Sequence, residues 1–200
     1  MLDNLLFIIA SITAAISVMV AHEFPKTFIY YCNHHRSNKR SFFRMFKFYK
    51  YIDPIGLLLF VIMNAGFSKP YLSGNKEKKI NAILGITGFS SMIILYFVAY
   101  FFLNTYFSDT SLVENTHSSV FIFYFLYYLR LFAVNMILAN LIPISTFDMA
   151  QIISKINPIR YHFFVHHDVT LKVILIILIA TRLMAMIGNG IISLTTAYLQ

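Results

Sequence analysis

The sequence predicts an all-α polytopic membrane protein: four full transmembrane helices and one short re-entrant or fifth membrane segment in a single domain, residues 1–200. Three observations carry this. Apolar residues make up 58% of the chain and charged residues only 12%, where soluble domains carry about 25% charged residues. The mean hydropathy of +0.70 agrees. Four apolar runs reach the roughly 20 residues that a bilayer crossing needs, and the cations gather in the connections between them.

The first run extends from Leu5 to Tyr31 and carries His22 and Glu23 near its end. It has no basic leader and no small-residue cleavage site, so it is read as a span and not as a signal peptide. The second, third and fourth runs are Ile80 to Leu103, Ser119 to Ile142 and Val173 to Leu199. Between the first two lies Ile52 to Phe67, whose apolar part follows Asp53-Pro54 and leaves about 13 residues, a length suited to a re-entrant or interfacial segment.

Charge sets the expected orientation. Residues Cys32 to Tyr51 hold Arg36, Lys39, Arg40, Arg44, Lys47 and Lys50 and no acid, and Lys69, Lys76, Lys78 and Lys79 follow the short run. By the positive-inside rule both flanks of the short run are cytoplasmic, which suits a dip and return. Asn104 to Ser118 holds Asp109 and Glu114 without a cation and is expected outside, while Lys155 and Arg160 bring the last connection inside. The N-terminus is therefore expected outside. The net charge of +8 is explained by this topology and not by nucleic acid, because no basic stripe carries aromatic residues placed for base stacking. The basic stretch Arg36 to Lys50, with Phe42, Phe43, Phe46 and Phe48, is expected to lie on anionic lipid headgroups. A single Cys32 offers no intramolecular disulfide.

Chemistry concentrates at two distant places. His22-Glu23-Phe24-Pro25-Lys26 lies about 25 Å along the first span, and Asn140-Leu141-Ile142-Pro143 with Asp148 lies about 31 Å along the third, which runs the same way. Intramembrane ionisable groups are costly and face the bundle interior, so they mark a functional site by default. His22 and position 26 share a helix face at i and i+4, with Glu23 one residue away.

In this order the chain resembles the site-2 protease family of intramembrane zinc metalloproteases, in its small bacterial type. The resemblance rests on His22-Glu23-Phe24-Pro25-Lys26 as a degenerate His-Glu-x-x-His, Asp53-Pro54-Ile55-Gly56, Gly66-Phe67-Ser68-Lys69-Pro70, and Asn140-Leu141-Ile142-Pro143 with Asp148-Met149. It covers about residues 15 to 155. The resemblance implies a site-2-protease-like core, zinc held by His22 and Asp148, Glu23 as general base, and Asp53, Lys69, Asn140 and Pro143 in support. It also implies a transmembrane protein substrate or client and a bacterial inner membrane, with the site near the cytoplasmic face.

The chain departs from that family where the chemistry is most exacting. Lys26 replaces the second ligand, Met149 replaces a Gly, and Thr87-Gly88-Phe89-Ser90-Ser91-Met92 replaces an Ala-Gly-Pro-x-x-Asn stretch. A protonated lysine has three donors and no lone pair to give a metal, so Lys26 is expected to neutralise Glu23, Asp148 or both. Pro25 removes a helical hydrogen bond to residue 21 and is expected to kink the span, displacing Lys26 from the His22 face. Substitute ligands were sought in His34 and His35 and in His162, His166 and His167, whose tract reads better as solvated surface. Arg130, halfway through its span, is read as the partner of an acid or of backbone carbonyls; Arg182 is expected to snorkel.

Three functions follow from this reading. One is a site-2-protease-like homologue with reduced or lost peptidase activity that handles transmembrane clients, with no zinc needed. The second is an active zinc protease with a substitute ligand. The third is a small transporter component that uses Arg130 and the acids.

Overall fold

The computed structural model describes residues 2–34, 44–70, 78–107 and 117–199, and among them every regular element is helical. In chain order these are α1 (Leu2–His34), two short 3-10 turns (Arg44–Phe46 and Phe48–Lys50), α2 (Pro54–Met63), α3 (Lys78–Tyr106), α4 (His117–Leu141), α5 (Asp148–Ile156), α6 (Pro158–His166), α7 (Asp168–Ala180) and α8 (Leu183–Leu199). His35, most of the basic stretch after it, and the connection with Asp109 and Glu114 lie outside the described residues.

Three helices are long and apolar enough to cross a bilayer: α1, α3 and α4. The chain is a multi-pass integral membrane protein. Its surface agrees, since Ile93, Ile94, Phe97, Val98 and Phe101 of α3 stand exposed on one side of the bundle, an arrangement that suits lipid and not water.

The expected fourth span, Val173 to Leu199, is not one helix. It breaks at Thr181-Arg182 into α7 and α8, with Arg182 in the left-handed region at φ 58°. A cation in the middle of an apolar run is where exposure is most favoured, and Arg182 sits exposed at the corner. A fourth crossing is instead available from α6 and α7 taken together, which meet at 71°.

Helix α4 is the axis of the fold. Its residues Tyr128, Leu129, Leu131, Phe132, Ala133, Val134, Asn135 and Met136 are all buried, and a helix apolar all round belongs in the centre of a bundle. Small residues on α1, Ala14 and Ala15, let it approach, while Met92 and Ala99 of α3 and Ile192 of α8 complete this core. Phe60 of α2 meets Phe132 with ring centroids 4.8 Å apart.

The short run behaves as its length predicts. Asp53 caps α2 by accepting from the Ile55 and Gly56 N–H groups, and Pro54 fits the first turn. Asn64 ends the helix at φ 59°, and the chain returns extended against it, so that a Cβ on Gly56 would lie 2.0 Å from the Phe67 carbonyl oxygen. The Lys69 N–H donates to the Tyr51 carbonyl at 3.1 Å. Entry and exit of the short run are thus bonded together.

A buried ion-pair cluster as the candidate functional site

Five polar side chains meet inside the apolar bundle. His22, Glu23 and Lys26 come from α1, Ser68 from the returning leg after α2, and Asp148 from the first turn of α5; all are between 0 and 4% exposed. Uncompensated charge there would cost several kcal/mol per ion, so their arrangement is tightly dictated.

Lys26 stands at the centre. Its Nζ donates to Glu23 Oε1 at 2.8 Å and to Asp148 Oδ1 at 3.0 Å. His22 Nε2 is 2.7 Å from Asp148 Oδ2; a carboxylate acceptor there places the proton on Nε2. His22 Nδ1 lies 3.0 Å from both Glu23 Oε1 and Ser68 Oγ and 3.4 Å from Lys26 Nζ. Either protonation state of the ring is therefore satisfied. Ser68 Oγ donates to Glu23 Oε1 at 2.8 Å. Two carboxylates thus face one ammonium, and an imidazolium would complete the charge balance.

Helix α5 lies outside the three long spans, and its Asp148 shows how the charges balance. Burial pushes the carboxyl up; Lys26 and His22 outweigh it and hold Asp148 below the ordinary carboxylate range. Asn140 links α4 to this turn: its Nδ2 donates to the Met136 carbonyl and its Oδ1 faces the Asp148 N–H at 3.4 Å. Pro143 shapes the connection, in which the Ile144 N–H donates to the Ile142 carbonyl.

Pro25 does not displace Lys26. Helix α1 continues through it, and Lys26 reaches both acids from the His22 face. Membrane helices absorb a proline when the surroundings hold the helix on either side; here Thr27 Oγ1 donates to the Glu23 carbonyl and the ion pairs clamp the next turn. Asp53 and Lys69 stand beside the cluster and not in it: Asp53 caps α2, and Lys69 is exposed, its N–H bonded to the Tyr51 carbonyl, because in an extended leg alternate residues point apart. Ser68, its neighbour, enters the cluster instead.

Residues Gly85 and Gly88 of α3 were also missed. A Cβ on Gly88 would lie 2.0 Å from Asp148 Oδ2, and one on Gly85 would lie 2.5 Å from the Asp148 carbonyl oxygen. The pair of glycines at i and i+3 on a membrane helix was the available signal for close approach. Among the described residues Arg130 Nε is buried without a partner. His162, His166 and His167 are exposed on α6 and its end, far in role from the cluster.

Zinc asks for a different spacing of these donors. Two ligands at the usual zinc distances of about 2.0–2.2 Å stand more than about 3 Å apart across a tetrahedral ion, whereas His22 and Asp148 touch directly at 2.7 Å. The other Asp148 oxygen is held by the Lys26 ammonium, and among the described residues no group of three His, Cys, Asp or Glu could hold a metal. The residues present do not fit the ion. No family model, curated protein or solved structure matches the chain.

Proposed function

We propose that this chain is a site-2-protease-like membrane protein without peptidase activity, which binds or shields transmembrane segments of client proteins. The observation that carries the reading is Lys26, whose ammonium bonds both Glu23 and Asp148 where the related proteases would hold zinc. A general base held by an ammonium is not free to take a proton from a water aimed at a peptide. The cation distribution supports an outside N-terminus and a cytoplasmic depth for the cluster; a bacterial inner membrane rests on the resemblance alone. Client handling rests on the resemblance of the four motifs.

Elemental analysis of the detergent-purified chain tests the central claim. Zinc is expected to be absent from the wild type and from Asp148→Ala, and to bind in Lys26→His, which restores a second imidazole at i+4. About one zinc per wild-type chain, lost in Asp148→Ala, would overturn it. A photo-crosslinker at Phe67 tests the client claim separately: adducts with membrane-protein segments are expected, and their absence in native membranes would remove it.

A further inference from the structure

Beside the cluster, on the opposite side of Pro25, a cavity of about 790 Å³ opens between α1 and α3. Ile16, Val20 and Phe24 form one wall, Ile94 and Val98 the other, and Phe48 of the second 3-10 turn stands at its mouth. Three of the four hydroxyls along it are turned to their own helices: Ser17, Thr87 and Ser91 donate to the Thr13, Ile83 and Gly88 carbonyls, and Ser90 is the one exposed hydroxyl on the wall. What remains is an apolar groove.

Its depth can be counted along the helices. Phe24 lies about 28 Å along α1 from Leu5, and Thr87 lies about 28 Å along α3 from Tyr106, the ends of their apolar spans. Taking those ends as one edge, the roughly 30 Å of hydrocarbon reaches its other edge near both residues. Phe48 packs against Phe24 with centroids 5.7 Å apart, which puts the neighbouring Lys47, an exposed side chain, at headgroup level. From there the groove runs inward along Ile16 to Pro25 and Thr87 to Val98, about 15 Å by helix rise. That is the depth of one leaflet. A transmembrane helix would need a groove through both.

We propose that this groove is a phospholipid site, selective for an anionic headgroup, with one acyl chain between α1 and α3 and the phosphate at Lys47. Charge complementarity selects the headgroup: Lys47 stands exposed beside Phe48 at the mouth, and one cation near an anionic surface is worth about 1 kcal/mol, or about fivefold in binding. The site does not depend on whether the neighbouring cluster binds metal or clients.

Native mass spectrometry of the full chain in detergent, titrated with phosphatidylglycerol and phosphatidylcholine of identical chains, tests it. One phosphatidylglycerol is expected to be retained in preference. Lys47→Gln is expected to weaken it about fivefold and leave phosphatidylcholine unchanged. Ser90→Trp, from an exposed position on the groove wall, is expected to displace both, with Val98→Trp as the second groove-filling variant. Equal retention of the two lipids, binding untouched by either Trp variant, or a retained peptide or second copy of the chain in place of lipid would overturn the proposal.

Discussion

Gly88→Ala is the sharpest perturbation of the cluster, because it adds one methyl group and no charge. The new Cβ would sit 2.0 Å from Asp148 Oδ2, about 1.4 Å inside the 3.4 Å at which ordinary contact begins. The neighbour in the way is not the loose end of a long side chain. Asp148 is held at 2.7 Å by His22 and at 3.0 Å by Lys26, and a displacement of that size takes both beyond hydrogen-bonding range. Breaking a buried ion pair costs about 3–5 kcal/mol. Alanine in place of glycine in a helix returns about 1 kcal/mol, which leaves a net loss of about 2–4 kcal/mol. The control is Gly190→Ala, where nothing lies within 4 Å, so only the helical gain is expected. Unfolding of both variants in detergent, by heat or denaturant, measures the difference. If Gly88→Ala is as stable as Gly190→Ala, the Asp148 carboxylate is not fixed by the cluster and the argument fails.

Three further outcomes are expected. Lys26→Met leaves Glu23 and Asp148 buried without their ammonium and should cost about 3–5 kcal/mol; adding Glu23→Gln should recover part of it, and strictly additive losses would show that the two do not interact. The pH dependence should differ in the same pair. A carboxyl depressed in the folded state, as Asp148 is, contributes stability above its unfolded pKa of about 3.9 that is lost as pH falls, so the wild type should weaken below about pH 4. In Lys26→Met that slope should flatten or reverse, because protonation then relieves an uncompensated charge; an identical slope would refute the role of Lys26. Finally, Gly188→Ala should loosen α8 from α4, since its Cβ would meet Asn135 Oδ1 at 2.2 Å while Asn135 Nδ2 is engaged with the Asn64 carbonyl at 2.7 Å; unchanged protease resistance of α8 would refute it.

Much of the site was legible because its groups are chemically conspicuous. His22, Glu23 and Lys26 are ionisable residues in an apolar helix, and Asp148 follows the end of another; charge in such a place has to be paired. Gly85 and Gly88 left a spacing signal but no partner, and Ser68 left none, since a hydroxyl carries no such cost and matters only through what comes to rest against it. Pro25 was expected to displace Lys26 and does not: α1 continues through it, and the ion pairs hold Lys26 on the His22 face.

Apolar run length and the scarcity of charge determined by themselves that the chain is helical and crosses a membrane, because a bilayer admits few other ways to satisfy the backbone. That the run after Asp53-Pro54 is too short for a full crossing followed from the same arithmetic, and the helix there is ten residues long. Only the tertiary structure decided that Val173 to Leu199 is two helices meeting at Arg182, that Ser68 and not Lys69 turns inward, and that Lys26 bonds both acids at once. These depend on which surfaces of α1, α3 and α5 come into contact across more than a hundred residues of chain, and hydropathy, being a property of each segment alone, does not encode that.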